Sequence, residues 1–200
     1  MKKFYLLATA LLFAACSFAQ VDKPQKAIFY SISFPNAAHH DAEIGSTVPQ
    51  APSGVIRVRM SRSSAGRYAT HEFGKNVYNV KAENVDGSPI ELKQVEGDLY
   101  ELGDHGATVK ISYTLFGNWT DGTYTGIDPS HAHLNMPATF MWVVGQDKRP
   151  LRFEFNDLDK YGWKVATQLK HEGDNVYSAP NMQYMMDSPT ELSAYKVSSW

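Results

Sequence analysis

Two histidines separated by a single residue form the most suggestive metal-binding pattern in the chain. His131 and His133 flank Ala132, and residues i and i+2 of a β-strand point to the same side, so two imidazoles there could share one metal ion. A carboxylate is needed to complete the ligand set, but Met, Pro and Ala occupy positions 136–138. The pattern therefore favours a structural role, in which both imidazoles support a loop through hydrogen bonds.

The zinc motif of helical metallopeptidases is incomplete at both places where it begins. The motif His-Glu-x-x-His places two histidines one helical turn apart, with a glutamate as general base. His71-Glu72 is followed by Lys75 where the second histidine is required, and His171-Glu172 runs into a Gly-Asp-Asn turn. The sequence also lacks a phosphate-binding P-loop and a G-x-S-x-G nucleophile turn. We therefore expect no catalytic residue and no metal ligand in this chain.

A polar loop carries two arginines. Arg62 and Arg67 lie within the Gly-containing segment 61–68. Two guanidinium groups could clamp a carboxylate or a phosphate. The alternative, a solvated crossover between sheets, is favoured by the Ser-rich composition of the segment.

The elements that must position these residues are strands, because period-two alternation dominates and helical periodicity is nearly absent. The longer segments predicted as strands are residues 27–34, 40–44, 55–60, 77–82, 108–116, 138–144, 151–155, 163–169 and 191–197. About a dozen short strands separated by Gly, Asp and Asn turns are typical of an all-β fold. We predict an antiparallel β-sandwich or saddle-like double sheet, formed by one domain over residues 20–200.

One segment interrupts this rhythm. Residues 117–137 contain aromatic, His and Asn residues without alternation, which predicts a long irregular connection. Such connections are uncommon in compact domains and usually serve a function. We therefore expect this segment to form a rim that packs against another surface.

The N-terminus predicts export. Lys2 and Lys3 precede an apolar stretch, and Ala19 offers a cleavage site that leaves Gln20 as the mature N-terminus. In the alternative interpretation Cys16 is lipidated and anchors the protein to a membrane. The formal net charge is −2 at pH 7, and no Lys/Arg-rich run follows the signal, so a nucleic acid partner is not expected. We predict a periplasmic or secreted protein.

Several sequence blocks resemble the N-terminal domain of the glycyl aminopeptidase family, gluzincin-type zinc metallopeptidases that often carry a PDZ module. The resemblance covers residues 27–192, nearly the whole chain after the signal. Its most specific block is DPSHAHLNMPATFMW at residues 128–142, which is similar to an Asp-x-x-His-Ala-x-Leu-Asn run of the family. Further blocks recur in the expected order, at residues 30–36, 66–77, 149–151, 162–167 and 187–192.

This resemblance implies a division of labour. The zinc and the His-Glu-x-x-His helix would belong to a catalytic domain following in cis after Trp200, and this domain would form one wall of a cleft for short peptides. The residues expected at the cleft-facing edge are Tyr124, Asp128, His131, His133 and Asn135. Asp128 would either meet the substrate's ammonium group or cap the turn at Asp-Pro. The alternative for the whole chain is a stand-alone exported β-sandwich that binds a ligand or protein without catalysis.

Overall fold

The computed structural model describes residues 25–64, 66 and 68–198. The predicted signal segment, Cys16 and Arg67 lie outside these residues. No helix in the described part of the chain is long and apolar enough to cross a membrane.

Fifteen short strands and three one-turn helices make up the regular structure of the described residues. The strands are β1 (Ile28–Asn36), β2 (Asp41–Pro49), β3 (Ile56–Arg59), β4 (Val77–Asn84), β5 (Leu92–Glu96), β6 (Leu99–Leu102), β7 (Thr108–Phe116), β8 (Gly126–Ile127), β9 (His131–Leu134), β10 (Trp142–Val143), β11 (Leu151–Phe155), β12 (Lys164–Ala166), β13 (Lys170–Gly173), β14 (Val176–Ala179) and β15 (Thr190–Ser193). The helices are α1 (Met136–Thr139), α2 (Leu158–Tyr161) and α3 (Met182–Met186), and 3-10 turns occupy Ala37–His39 and Phe73–Asn76. This content confirms the predicted all-β class.

The strands form three sheets. The largest has the order β13-β14-β11-β1-β2-β7-β4, and two four-stranded sheets have the orders β10-β3-β6-β5 and β12-β15-β9-β8. The pairing is antiparallel as predicted, with one exception among the named strands: β1 and β11 run parallel, with Ile28 opposite Leu151. A parallel pair needs a long crossover, and here the intervening chain builds parts of all three sheets.

The core lies under the large sheet. Alternate residues of β1 are buried, from Ile28 to Phe34, as expected for a strand with one face turned inward. Tyr30 stacks on Phe153 with ring centroids 5.3 Å apart, and the edge of Phe140 packs against both rings. Residues far apart in sequence thus form one apolar layer.

Two buried tyrosines attach the segment after α1 to the large sheet. The Tyr30 hydroxyl donates to the Met141 carbonyl at 2.9 Å, and the Tyr113 hydroxyl donates to the Thr139 carbonyl at 2.8 Å. Tyr113 also accepts from the Met141 amide. Burial raises the pKa of both tyrosines far above the ordinary value, so both remain neutral donors.

Two local predictions were wrong. Residues 138–144 were expected to form one strand, but α1 occupies their start, because Pro137 suits the first turn of a helix and the Thr139 hydroxyl donates back to the Asn135 carbonyl. The segment 117–137 is also not wholly irregular, since it contains β8 and β9. Its short strands alternate too briefly to stand out in sequence.

Candidate functional site

Strand β9, in the four-stranded sheet β12-β15-β9-β8, carries the two histidines. Ala132 and Leu134 are buried, whereas His131 and His133 are half-buried on the opposite face. Strand β15 pairs with β9 so that Glu191 lies opposite His133. The predicted same-side arrangement of the two imidazoles is therefore present.

Each imidazole contacts a carboxylate. His131 Nδ1 lies 3.6 Å from Asp128 Oδ2, and His133 Nδ1 lies 3.4 Å from Glu191 Oε2. Neither contact meets the geometry of a hydrogen bond; among the described residues, the ring hydrogen bond of this pair joins His131 Nδ1 to the Ser130 hydroxyl at 3.3 Å. The described residues contain no group of three or more His, Cys, Asp and Glu side chains that could hold a metal ion.

Asp128 caps the turn that leads into β9. Its Oδ1 accepts hydrogen bonds from the Ser130 amide at 2.6 Å, the Ser130 hydroxyl at 2.5 Å and the His131 amide at 3.1 Å. Burial tends to raise the pKa of Asp128, but these hydrogen bonds outweigh it and hold the pKa below its ordinary value. One carboxylate oxygen is thus committed to the turn, while Oδ2 faces His131.

Two substitutions of Asp128 separate the contribution of its charge from that of its hydrogen bonds in the turn. Asp128→Ala should destabilise the chain by about 1 kcal/mol, because three donors lose their acceptor. Asp128→Asn should cost less, since an amide oxygen can still cap the turn. Urea unfolding at pH 7 measures both. Equal losses in the two variants would show that the charge, not the cap, stabilises the turn.

Tyr124 lies in an aromatic cluster rather than beside Asp128. Its ring stacks on Trp119 at 4.7 Å and meets Phe73 edge to face at 4.9 Å. His71 stacks on Phe73 at 4.9 Å. Trp119 remains 41% exposed, so this cluster presents an aromatic surface to solvent.

Asn135 joins two loops in the interior. It is only 7% exposed, and its amide donates to the Thr123 carbonyl and, at 3.0 Å, to the Ser64 hydroxyl. The residue therefore holds the loop before β8 against the polar loop after β3. The five residues expected at the cleft-facing edge therefore lie in different places. They are Asp128 in a turn, His131 and His133 on β9, Tyr124 in the aromatic cluster, and Asn135 at the contact between two loops.

A cleft of about 640 Å³ opens between the loop after β3 and the β5–β6 hairpin. Its lining residues are Arg62, Thr70, His71, Glu72, Gly74, Lys75, Val77, Gln94, Gly97 and Asp98. Asp98 and the cleft itself were missed by sequence reasoning. The available signal was the clustering of Arg57, Arg59 and Arg62 within six residues, with no acidic residue nearby in sequence, which calls for carboxylates from another strand.

The side chain of Arg62 is held in an ionic network at this cleft. Its Nε donates to Asp98 Oδ1 at 2.9 Å, and its Nη2 donates to Glu96 Oε2 at 2.5 Å. The polar loop is therefore anchored to the β5–β6 hairpin, not only a solvated crossover. Arg67, the other arginine considered for an anion clamp, lies outside the described residues.

A comparison with models of known protein families identifies the family of this chain. Residues 29–194 match the model of the Peptidase M61 N-terminal domain. The chain belongs to this family. The match confirms the resemblance inferred from the sequence blocks, and it includes β9, the aromatic cluster and the cleft.

Solved structures show that this M61 N-terminal domain shares its fold with part of a larger protein. An aminopeptidase N family protein from Idiomarina loihiensis superimposes with a TM-score of 0.78 at 19% identity, over 83% of this chain and 29% of that protein. Two structures of an M1 zinc metallopeptidase from Deinococcus radiodurans, one bound to a Tyr-Ser-Ala substrate, give TM-scores of 0.46 and 0.45 at 10% identity. Each of these two matches extends over 85% of this chain and 42% of the metallopeptidase. At this similarity they support no further conclusion. A comparison with curated protein sequences finds no match.

Proposed function

We propose that this chain is the non-catalytic N-terminal domain of an exported, glycyl aminopeptidase-like zinc metallopeptidase, and that it forms one wall of the substrate cleft. The family match over residues 29–194 carries the proposal. The similar protein from Idiomarina loihiensis is more than three times as long as the matched region, which is consistent with a domain that works beside others.

The position of β15, the last strand in the part of the chain that the structure describes, supports the proposed wall. Strand β15 runs antiparallel to β9, with Ser193 opposite His131. The chain therefore leaves the sheet beside the turn of Asp128. A domain that follows β15 would meet this turn, His131 and His133 before other parts of the fold.

The catalytic chemistry is expected in that following domain. Zinc bound by His-Glu-x-x-His would polarise the scissile carbonyl and activate water. The residues of this chain would limit access and orient the peptide. Oδ2 of Asp128, which the turn does not use and which lies 3.6 Å from His131 Nδ1, would pair with a substrate ammonium group.

Three tests address the proposal. The purified chain, with or without equimolar zinc, should hydrolyse Gly- and Ala-anilides no faster than buffer. The reading frame beyond Trp200 should continue into His-Glu-x-x-His, and the full product should be active. In that product His133→Ala should raise KM about threefold to tenfold with little change in kcat, as expected for a group that binds substrate uniformly.

The outcomes separate the alternatives. Zinc-dependent turnover by the chain alone would contradict the non-catalytic assignment. A stop codon directly after Trp200 would favour the stand-alone binding module. An unchanged KM in the His133 variant, with Lys81→Gln, an exposed lysine on β4 of the large sheet, as a surface control, would contradict the placement of the wall at β9.

A further inference from the structure

The cleft beside the loop after β3 has the size and walls of a ligand site. Its volume of about 640 Å³ falls in the range of about 300–1,000 Å³ usual for small-molecule sites. The backbone packs closely at one side of the cleft, because a β-carbon at Gly74 would lie 2.5 Å from the Gly97 carbonyl oxygen. This close approach packs the 3-10 turn of Phe73–Asn76 onto the β5–β6 hairpin.

The buried acid of the cleft is already neutralised by arginines. Asp98, with a side chain only 6% exposed, receives Arg62 on Oδ1 and Arg59 on Oδ2 at 3.1 Å. Glu96 receives the same two arginines. The hydrogen bond and charge of Asp98 raise the pKa of Arg62 above its ordinary value. A ligand therefore does not meet a free carboxylate at this side of the cleft.

Cationic donors remain available. Arg62 Nη1 donates to none of the described residues, and the Arg62 side chain is 50% exposed. Lys75 Nζ contacts only Glu72, at 3.5 Å, among the acidic side chains described, and Glu72 is 78% exposed. Such an exposed pair adds little to stability, so an incoming anion can replace Glu72.

An imidazole with an unpartnered ring nitrogen lies in the wall of the cleft. His71 lines the cleft, its ring is fixed by the stack on Phe73, and its Nε2 is buried with no partner among the described residues. Buried polar atoms normally have partners. Next to this ring, Tyr124 meets His71 edge to face and stacks on Trp119.

We propose that this cleft binds a short peptide by its free C-terminal carboxylate, held between Arg62 and Lys75, with the peptide backbone lying along His71 and the aromatic cluster. The choice of a peptide as the ligand rests on the proposed function. The carboxylate follows from the two available cations. By holding the end of the peptide that is not cleaved, the domain would favour short substrates.

A titration of the purified chain tests the proposal. Triglycine should shift the amide NMR signals of residues 70–76 and 94–98, and triglycine amide should bind at least about tenfold more weakly, because the charge-assisted hydrogen bonds are lost. Lys75→Gln should weaken triglycine binding about tenfold, whereas Glu72→Gln should strengthen it by removing the competing carboxylate. These side chains are half or more exposed, so both variants should fold.

The controls define what would overturn the inference. Lys93→Gln, an exposed lysine on β5 outside the cleft, should leave binding unchanged. Equal binding of triglycine and its amide, equal competition by inorganic phosphate, or signal shifts confined to other regions would each refute peptide-carboxylate recognition here. The accessory-domain proposal would survive such a result, because it depends on the family match and on the turnover assays.

Discussion

Replacing Trp163 by Ala should destabilise the chain by about 3–5 kcal/mol, the usual cost of removing a large buried aromatic side chain. Trp163 is 5% exposed. Its ring stacks on Tyr161 at 4.5 Å and meets Phe34 edge to face at 5.2 Å. Its indole nitrogen donates to the Ser130 carbonyl at 3.1 Å. The substitution therefore opens a cavity under the large sheet and releases the turn capped by Asp128.

Urea unfolding at pH 7 measures this loss, with the slope of the transition as a check that the unfolded state is unchanged. Trp163→Phe is the matched control, because it keeps an aromatic ring and removes the hydrogen bond to Ser130. Trp142→Ala should cost less, about 1–2 kcal/mol, since Trp142 is only half-buried on the edge strand β10. A loss below roughly 1 kcal/mol for Trp163→Ala would contradict its assignment to the core.

Replacing Arg149 by Met should also have a large effect, a loss of about 3 kcal/mol, because several charge-assisted hydrogen bonds disappear. Arg149 is 1% exposed, and burial lowers its pKa from the ordinary value. Its Nε and Nη2 donate to the Lys26 carbonyl, and Nη2 also donates to the Pro49 carbonyl at 2.7 Å. The guanidinium thus ties the start of the described chain to the end of β2.

Burial of the guanidinium costs desolvation energy, which opposes the stabilisation by its hydrogen bonds. The sign of the change in the free energy of unfolding on Arg149→Met therefore shows which contribution is larger. Methionine has a similar volume and removes the charge, while Arg149→Lys keeps the charge but cannot reach both carbonyls in the geometry of a guanidinium. We expect both variants to be less stable than the parent in urea unfolding, with lower melting temperatures. A methionine variant as stable as the parent would show that the cost of burying the charge cancels its hydrogen bonds.

The fold class could be predicted because alternation within each strand is a local property. Strands such as β1, β7 and β11 alternate over five to nine residues, long enough for the pattern to show. Strands β8 and β9 are too short to show alternation. Strand β13 is exposed at every position, so it has no alternation of buried and exposed residues either. The helical turn at α1 depends on Pro137 and on the back-bonding hydroxyl of Thr139, both of which compete with strand formation there.

The candidate site was only partly predictable, because some of its contacts join residues that are distant in sequence. The turn of Asp128 could be anticipated, because an Asp-Pro-Ser sequence forms its hydrogen bonds within three residues. The burial of Asn135 could not, because its partners Ser64 and Thr123 come from two other loops. The cleft was hidden for the same reason, since Arg62 and Asp98 are 36 residues apart.

The sequence by itself determined the β-rich class, the family resemblance and the absence of a complete His-Glu-x-x-His motif, since each depends on residue type and on spacing along the chain. The tertiary structure decided which strands pair in parallel, which tryptophan is buried, and which cations remain available to a ligand. The physical reason is that ionic networks and aromatic stacks join residues distant in sequence. Whether Arg62 can bind an anion depends on how far Asp98 and Glu96 already use its donors, and only the packing of the β5–β6 hairpin brings those groups together.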